Sequence, residues 1–537
     1  MKKSMRTLTM LSKFTNFMAL SLLAFLASSP AVFASPLAQS DVLQTGVPIS
    51  IDLSKTGSLD LARLRSYYAG ASWETPISPS TWEKLKLLHV SKIRMINVES
   101  TEATHSSANE RSMDFNFNSL NLGLVDCQNY KLTPHIVVGA RIQTAIANRS
   151  TNGYFGVNNW SVYEDYAYEL MKYVTVTRNF PTAEFEVGNE PDINGTKWLL
   201  EGKLPSGDAR MYGEYHSLYR AWSNAAVRLK KNYPALGFKL GGPDITPYTF
   251  AFGKLNWASQ FIDDAGKERL KLDFFSFHFY GNNAALDKTN KFGPYPDFDE
   301  EIKFYRKELK NAGLEKTSIY VSEWGPSTFV DGSIQGVTNG NHVGAAWAAR
   351  FIVAMAENKI ENALALIFRD HFLPNTREDN WGWPGYLLAD GETPKALYNL
   401  FSIFELFPAG KLSVSRPSPA LMVVSSSDGV STGVMAVNQS WDFAKMEDLA
   451  GDATVDISLV GNNYKSDAVH VRMFVIDSMH ADPYMSVKNG KAAGSSVGGL
   501  RPTAEFDVHL KNGVIQLPAT LLRTSSVTFW QLVPLHQ

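Results

Sequence analysis

The sequence predicts a (β/α)₈ TIM barrel followed by a C-terminal antiparallel β-sandwich domain. Between about residues 66 and 408, short β-rich segments alternate with longer amphipathic segments, which is typical of repeated βα units and a parallel sheet. Eight such units over roughly 340 residues fit a barrel with insertions. Beyond Phe407 the helical segments stop and short alternating strands begin. At 537 residues the chain is long enough for a large barrel and a smaller domain.

The barrel prediction depends on strands and helices that follow one another in order. The predicted strands are Tyr67–Ala71, Lys92–Val98, Leu132–Gly139, Ala183–Gly188, Gly237–Gly242, Leu272–Phe279, Ser318–Glu323 and Ala363–Phe368. The clearest predicted helices are 209–232, 299–312, 342–358 and 394–407. A doubly wound open sheet is the alternative fold. It would normally carry a phosphate-binding glycine fingerprint after its first strand, and the sequence has none there.

The region 409–537 is predicted to form the sandwich. Its predicted strands are Leu421–Val424, Gly433–Val437, Thr454–Val460, Val469–Ile476, Ala504–Leu510 and Val527–Leu532. Because polar and apolar residues alternate in this region, we expect antiparallel strands that are each half buried. The segment 35–65 precedes the barrel, and its stretch Val47–Leu53 is predicted to add a strand to the sandwich.

The first 34 residues have the layout of a secretory signal peptide. Four basic residues lie within the first 13 positions, an apolar run extends from Phe17 to Leu26, and small residues lead to Ala34. The apolar run is shorter than the roughly 20 residues that a membrane-spanning helix needs. We therefore expect cleavage after Ala34 and a secreted or periplasmic protein with no membrane partner.

Composition excludes several classes of function. Hydrophobic residues make up 44% of the chain and charged residues 19%, as in an ordinary globular protein. Removal of four basic residues with the signal peptide changes the formal net charge from −2 to −6, which argues against a nucleic-acid partner. Cys127 is the single cysteine, so neither an intramolecular disulfide nor a cysteine-based zinc site can form. The sequence leaves the oligomeric state open.

Two glutamates lie where a barrel enzyme places its catalytic groups. Glu190 follows the fourth predicted strand in Gly188-Asn-Glu-Pro-Asp, and Glu323 ends the seventh in Ser322-Glu-Trp. Residues from distant strands of a (β/α)₈ barrel converge at the carboxyl-terminal rim. Hydrolysis of a glycosidic bond needs one carboxylic acid and one carboxylate facing each other. The positions of Glu190 and Glu323 therefore predict a glycosidase pair.

These two motifs resemble clan A of the glycoside hydrolases. The domain order, a barrel followed by a sandwich that recruits an N-terminal strand, is most similar to family 39, the β-xylosidase and α-iduronidase group. Family 79, the β-glucuronidase and heparanase group, has the same plan and is the alternative. The resemblance implies a retaining mechanism in which Glu190 is the acid/base, Glu323 is the nucleophile and their carboxyl groups are roughly 5 Å apart.

The same resemblance implies roles for four further residues. Asn189 would bond to the sugar 2-hydroxyl, and Tyr280, at the end of strand six, would contact the nucleophile. His278 precedes Tyr280 by two positions and faces the same way, so it is either functional or a core residue. Arg94, on strand two, would lie beneath Glu323 and lower its pKa, unless it forms a surface ion pair instead.

Aromatic residues in the loops after the strands are candidates for sugar contacts. Trp381 and Trp383 follow strand eight, Trp160 follows strand three and Trp324 follows the nucleophile directly. Loop packing is the alternative for each of them. The sequence departs from the family at strand eight, where Ile367-Phe-Arg-Asp-His lacks the tryptophan often found there. Arg369, Asp370 and His371 are candidates for recognising a carboxylated sugar.

The sequence thus predicts an exported glycoside hydrolase that acts on an oligo- or polysaccharide without a cofactor or a metal. A uronide-specific hydrolase is one alternative. A catalytically silent polysaccharide-binding barrel is another, although both carboxylates are present. A metal-dependent hydrolase would need clustered ligands, and the 11 histidines are scattered along the sequence. The sugar and the choice between exo and endo action stay open, since specificity resides in loops.

Overall fold

A computed structural model describes most of the chain. The described residues are 46–73, 76–96, 103–105, 113–115, 117–139, 147–149, 155–157, 160–192, 209–246, 256–281, 298–328, 336–372, 381–442, 447–488 and 498–535. The predicted signal peptide lies outside these residues. Within the described part, no helix is long and apolar enough to cross a lipid bilayer.

Strands and helices alternate through the first two thirds of the chain, and strands dominate the rest. In chain order the strands are β1 Val47–Asp52, β2 Leu59–Asp60, β3 Gly70–Trp73, β4 Lys92–Met95, β5 Ala103–His105, β6 Met113–Phe115, β7 Thr133–Val138, β8 Ala147–Arg149, β9 Phe155–Val157, β10 Glu184–Val187, β11 Lys239–Ile245, β12 Phe274–Tyr280, β13 Ser318–Gly325, β14 Asn362–Ile367, β15 Lys411–Ser415, β16 Leu421–Ser427, β17 Thr432–Asn438, β18 Trp441–Asp442, β19 Glu447–Asp448, β20 Ala453–Val460, β21 Ala468–Ile476, β22 Pro502–His509, β23 Ile515–Gln516, β24 Thr520–Leu522 and β25 Ser526–Pro534. The α-helices are α1 Leu61–Ser66, α2 Pro79–Leu85, α3 Asn118–Tyr130, α4 Trp160–Lys172, α5 Ala209–Asn232, α6 Trp257–Glu268, α7 Phe298–Asn311, α8 His342–Glu357, α9 Ala396–Leu406 and α10 Pro483–Lys488.

Eight parallel strands close into a barrel, which confirms the predicted fold. Their order around the ring is β3-β4-β7-β10-β11-β12-β13-β14, and β14 pairs with β3 to complete it. Helices surround the barrel and pack on its outer face in one continuous apolar core. The rim that holds the carboxyl ends of the strands is the place where side chains from different strands can meet.

Apart from the two-stranded ribbon β18-β19, the described C-terminal strands belong to two sheets. The larger sheet has the order β2-β15-β16-β17-β25-β21-β22, and β1, β20, β23 and β24 form the smaller one. Strand β1 pairs in parallel with β20, with Val47 opposite Val455, so the segment before the barrel does contribute a strand. The other pairings in the two sheets are antiparallel.

The central strands of the larger sheet are not half buried, and this prediction was wrong for them. Every residue of β17 is buried, whereas β20 and β22 keep an alternating pattern. One face of the larger sheet packs on the smaller sheet through residues such as Val434 and Leu532. The other face, with Met435 and Phe529, belongs to the same core as the barrel helices. Central strands are therefore covered from both sides, and their polar positions are buried too.

Candidate active site

The two glutamates come together at the rim of the barrel. Glu190 directly follows the short strand β10 in a left-handed backbone conformation, with φ of 51°, and its N–H donates to the carbonyl of Asp244 at 2.8 Å. Glu323 lies on β13, across the ring. One carboxylate oxygen of Glu190, one of Glu323 and a ring nitrogen of His278 all lie within 4.8 Å of one another. This separation is close to the roughly 5 Å that retaining glycosidases use.

Glu323 is held by hydrogen bonds to both of its oxygens. Arg94 donates from one guanidinium nitrogen to Oε2 at 3.1 Å, and the Tyr280 hydroxyl donates to Oε1. Burial and the nearby Glu323 raise the pKa of Tyr280 well above its ordinary value, so the phenol keeps its proton. Both bonds fix the direction of the carboxylate and favour its ionised form.

Arg94 is fully buried and contacts four acceptors. Besides Glu323, it donates to Glu186 Oε2 at 3.0 Å, to Asn189 Oδ1 at 2.9 Å and to Asp244 Oδ2 at 2.6 Å. Burial alone lowers the pKa of Arg94, but Asp244, Glu186 and Glu323 outweigh that effect and raise it. The surface ion pair considered for Arg94 is therefore wrong, since its side chain is inaccessible to solvent.

The net pKa direction of Glu323 differs from the sequence-based expectation. Burial raises its pKa, and this effect is larger than the lowering by His278 and Arg94, so the pKa lies above its ordinary value. The expectation that Arg94 lowers it has the right sign for that single interaction. The expectation missed the cost of withdrawing the carboxyl group from water.

His278 links the two glutamates to a buried aspartate. Its Nδ1 lies 3.0 Å from Glu190 Oε1, and its Nε2 lies 2.6 Å from Asp244 Oδ1. Burial lowers the pKa of His278, but Asp244 and Glu323 raise it well above its ordinary value. An imidazolium can donate from both nitrogens, which matches two carboxylate neighbours. The structure thus brings His278 into the cluster rather than into an apolar core.

Asp244 is the residue that the sequence interpretation missed. It is fully buried at the end of β11, where its φ is 58° and the pairing of β11 with β12 shifts register between Pro243 and Ile245. Besides Arg94 and His278, it accepts a hydrogen bond from Ser322 Oγ at 2.7 Å. A carboxylate at the carboxyl end of a barrel strand was a signal that could have found it.

A second layer of buried ionic groups lies beneath the site. His135 Nδ1 is 3.0 Å from Glu184 Oε2, which also accepts from Lys92 at 2.6 Å. Burial raises the pKa of Glu186, but His135 and Arg94 outweigh it and hold that pKa well below its usual range. The barrel interior is therefore filled by paired charges below the catalytic cluster, where many barrels have branched apolar residues.

Trp324 does not face the cleft, which corrects its assignment as a sugar contact. Its ring is 1% exposed and packs against Trp347, Phe351 and Phe401 in the helix layer. Its indole N–H donates to the Tyr67 carbonyl at 3.1 Å. Successive strand residues point to opposite sides of a sheet, so the neighbour of an inward-facing Glu323 lies outside the barrel.

The other three tryptophans are half buried. Trp160 begins α4, and its ring packs edge-on against Tyr163 of the same helix with centroids 5.9 Å apart. This contact belongs to the helix layer and does not connect Trp160 with Glu190 or Glu323. Trp383 packs against the small apolar cluster of Tyr280, Leu366 and Ile367, the same cluster that contains the phenol donating to Glu323. Trp381 contacts Tyr484 of the C-terminal domain, with centroids 5.5 Å apart.

Asp370 is a structural residue, which corrects its inclusion among groups for a carboxylated sugar. It is 1% exposed, and it accepts from Lys395 Nζ at 2.5 Å and from the Gly385 N–H at 3.0 Å. Lys395 also donates to the Trp383 carbonyl. Arg369 and His371 line a small pocket with Ser72 and Thr81 at the ends of β3 and β14.

Within the described ranges, Glu190, His278 and Glu323 are the one set of acidic and histidine side chains whose donor atoms converge closely enough to be considered for a metal ion. Their donor atoms do not suit a metal ion. His278 lies between two carboxylates with its pKa raised, and a metal ligand must be a neutral imidazole. Arg94 already provides a positive charge 3.1 Å from Glu323. The arrangement favours acid–base and nucleophilic chemistry by the carboxyl groups themselves.

Comparison with known proteins identifies the family. The model of glycosyl hydrolases family 39 matches residues 105–492, which include both glutamates. The chain belongs to glycosyl hydrolase family 39. It is therefore a glycoside hydrolase whose substrate is a carbohydrate, and the sequence-based choice of family 39 over family 79 is confirmed. A search of curated proteins finds no match for this family 39 chain.

Solved structures show the same fold at low sequence identity. A family 39 enzyme from Xanthomonas axonopodis pv. citri superposes with a TM-score of 0.68 at 15% identity, over 91% of this chain and 98% of that one. A monomeric β-xylosidase from Caulobacter crescentus CB15 gives 0.67 at 16%, over 91% and 100%. A bacterial orthologue of human α-L-iduronidase gives 0.60 at 13%, over 91% and 84%. These similarities confirm a family 39 barrel with its sandwich.

Proposed function

We propose that this family 39 protein is an exported retaining glycosidase that cleaves oligo- or polysaccharides by double displacement. The observation that carries the proposal is that one carboxylate oxygen of Glu190 lies within 4.8 Å of one carboxylate oxygen of Glu323. Inverting enzymes keep their carboxyl groups about 6.5–9.5 Å apart to admit a water molecule between carboxylate and sugar. The shorter gap leaves room for direct attack.

In the first step Glu190 donates a proton to the glycosidic oxygen as the bond to the leaving group breaks. Glu323 attacks the anomeric carbon from the opposite side and forms a sugar ester. In the second step the ionised Glu190 removes a proton from water, the resulting hydroxide attacks the same carbon, and Glu323 leaves as a carboxylate. As an imidazolium, His278 donates from Nδ1 to Oε1 of Glu190 and so orients the carboxyl group that transfers the proton.

The neighbours of Glu323 support its role as nucleophile. Arg94 and Tyr280 donate to its two oxygens, so the carboxylate is oriented before substrate binds. Asn189 accepts from Arg94 through Oδ1, which leaves its Nδ2 group to donate to a sugar hydroxyl. A hydrogen bond to the 2-hydroxyl that strengthens in the transition state would accelerate both steps.

Trapping of the sugar ester tests the proposal directly. Incubation with 2-fluoro aryl glycosides should add one fluorosugar to the peptide that contains Glu323, as measured by mass spectrometry. A Glu323→Gln variant is the control and should stay unlabelled. Label on another residue would reject Glu323 as the nucleophile, and NMR evidence that the anomeric configuration inverts would reject the double displacement.

The dependence on the leaving group tests Glu190. A Glu190→Gln variant cannot donate a proton, so we expect a loss of roughly 10²–10⁴-fold in kcat/KM for poor leaving groups such as alkyl glycosides. An activated dinitrophenyl glycoside needs little protonation to depart, and its first step should be much less affected. Equal losses on both substrates would remove Glu190 from the acid role.

The sugar is to be found by screening. β-Xylosides come first, because the Caulobacter relative is a β-xylosidase by name. Uronides are the second candidate, since Arg369 and His371 line one pocket beside the barrel rim. Activity in the presence of a chelator separates this mechanism from metal-dependent hydrolysis. Binding without turnover of any glycan would instead support the silent polysaccharide-binding protein.

Export is part of the proposal and has its own test. Lys2, Lys3, Arg6 and Lys13 precede the apolar run, and Ala34 ends the predicted signal peptide. Expression in a bacterium with cell fractionation should recover the protein outside the cytoplasm, with Ser35 as the first residue. A cytoplasmic protein with its first 34 residues intact would contradict export.

A further inference from the structure

We propose that the C-terminal sandwich contributes Tyr484 to an outer sugar-binding subsite, which Tyr484 forms together with Trp381 of the barrel. The subsite would bind a ring of the glycan chain on the nucleophile side of the cleft, one position beyond the sugar attached to Glu323. This inference rests on the proposed glycosidase function and assigns a substrate-binding role to the second domain.

A continuous path of contacts leads from the nucleophile to these two rings. Tyr280 donates to Glu323 and belongs, with Leu366 and Ile367, to a small apolar cluster against which Trp383 packs. Two residues earlier lies Trp381, whose ring meets Tyr484 at an interplanar angle of 68°. The loop 381–385 also lies against the nucleophile strand, because a Cβ added to Gly325 would be 3.2 Å from Pro384. The rings therefore border the cleft on the Glu323 side.

The Tyr484 segment is anchored to the catalytic face of the barrel. Helices of a (β/α)₈ barrel begin at the face that holds the active site. Asp482 accepts from the backbone N–H of His342, at the start of α8, at 2.8 Å and from its Nδ1 at 2.7 Å. Asn399 of α9 donates to the carbonyls of Ala481 and Gly498 at 2.8 and 2.6 Å.

Trp381 is positioned by contacts of its own. The Asn339 side chain donates to the Gly382 carbonyl at 2.7 Å and to the Ser327 carbonyl at 2.9 Å, so it ties the loop to the segment after the nucleophile strand. The Trp381 backbone also lies so close to Gly340 that an added Cβ there would be 2.6 Å from its carbonyl oxygen. Both rings remain half exposed, whereas most large aromatic side chains of the barrel are buried.

The chemistry of the surface selects its occupant. Two flat rings from different domains, both partly open to solvent, offer apolar faces with a hydroxyl and an indole N–H at their edges. A pyranose ring has apolar C–H faces and hydroxyl edges, so it matches this surface. A ring bound here would require a substrate of at least two sugars on the nucleophile side, which favours oligosaccharides over simple glycosides.

The test compares Tyr484→Ala with Tyr484→Phe, which keeps the ring. In a Glu323→Gln background, binding to an array of di- to hexasaccharides should fall roughly fivefold to tenfold for Tyr484→Ala at the longer glycans and be retained for Tyr484→Phe. With Glu323 intact, Tyr484→Ala should reduce kcat/KM more on the longest oligosaccharide that the wild type hydrolyses than on the aryl monoglycoside, which cannot reach the outer subsite. A merely structural role for Tyr484 would reduce both values by the same factor.

Three outcomes would overturn the proposed subsite. Tyr484→Ala could bind the glycan array as the parent protein does, Tyr484→Phe and Tyr484→Ala could lose the same amount of glycan binding, or the Glu323→Gln protein could bind no glycan at all. Failure of the proposed function is a separate result, namely absence of hydrolysis of any aryl glycoside by the wild type.

Discussion

Asp244 joins the two halves of the catalytic pair without contacting the place where a sugar would lie. Through Arg94 it acts on Glu323, and through His278 it acts on Glu190. Arg94 and His278 each lie within hydrogen-bonding distance of carboxylate partners, and both side chains are buried together with Asp244. Each charge therefore depends on its neighbours for compensation, because an unpaired buried charge is costly.

Replacement of Asp244 by Asn tests this dependence. The carboxylate raises the pKa of His278, so its removal should lower that pKa, and the imidazolium should be lost at a lower pH. We expect the alkaline limb of the pH profile of kcat/KM to shift to lower pH. Breaking the buried pair should also reduce the free energy of unfolding by about 3 kcal/mol, measured in urea.

Ser322→Ala is the matched control for Asp244→Asn. The Ser322 hydroxyl donates to the Asp244 oxygen that His278 contacts, but its removal leaves the Asp244 charge in place and costs only the hydrogen bond, about 1.5–3 kcal/mol for a charged acceptor. This variant should keep the wild-type pH profile. If Asp244→Asn also keeps it, Asp244 does not act through His278.

At the level of elements, the first turn of α7 contains a buried acid outside the active site. Glu301 is fully buried, and its Oε1 accepts from the Tyr305 hydroxyl at 2.5 Å, while its Oε2 has no hydrogen-bond partner among the described residues. Burial raises its pKa from 4.5 to about 8, an effect that the bond from Tyr305 opposes. The folded protein thus holds a proton on Glu301 at a pH where the unfolded chain has lost it.

This raised pKa predicts a pH-dependent stability. Between pH 4.5 and about pH 8 the folded state binds more protons, so the free energy of unfolding should fall as pH rises, by about 1.4 kcal/mol per unit. Glu301→Gln keeps an acceptor for Tyr305 and cannot ionise. Its melting temperature should exceed that of the wild type at pH 8 and differ little at pH 4.5. Glu300 is exposed on the same helix, so Glu300→Gln is the control and should behave like the wild type. If the melting temperatures of the wild type and Glu301→Gln change with pH in the same way, the prediction is wrong.

Elements and their order could be predicted from sequence more completely than the directions of side chains. The predicted strand Ser318–Glu323 and helix 342–358 match β13 and α8 to within two residues, because hydrophobic periodicity is a local property. Side-chain direction at the rim depends on irregular pairing. The pairing of β13 with β14 shifts register between Val321 and Trp324, and Ser322 and Glu323 both reach the buried cluster. Strict alternation would have placed them on opposite faces.

Asp244 shows the same limit. Its inward direction is associated with a positive φ and a register shift at the end of β11, which no periodicity reveals. Similarly, the full burial of β17 depends on helices from the other domain, which a local pattern of alternation cannot show. The meeting of Glu190 and Glu323 at the barrel rim could be predicted because both follow barrel strands, while the residues that contact them are set by tertiary contacts.

At the scale of the whole molecule, the barrel and the sandwich share one core. Phe529 of β25 packs on Phe407 at the end of the barrel region, with ring centroids 4.8 Å apart. Arg350 of α8 donates to the carbonyls of Ala420 and Gln439 at 2.9 and 2.8 Å. Together with the Asp482 contact to His342, these interactions join the two domains at several separate places.

A shared core predicts that both domains unfold together. Calorimetry should show one transition, and loss of catalytic activity, which reports on the barrel, should coincide with it. Leu532→Ala lies on the sheet face that packs within the sandwich, and it should lower the stability by about 2–5 kcal/mol. Because the unit is cooperative, this change within the sandwich should lower the midpoint of activity loss by the same amount as the calorimetric midpoint. Phe529→Ala, which removes the contact with Phe407 of the barrel region, should lower both midpoints in the same way. Two resolved transitions, with activity unaffected by Leu532→Ala, would show instead that the barrel folds independently of its companion.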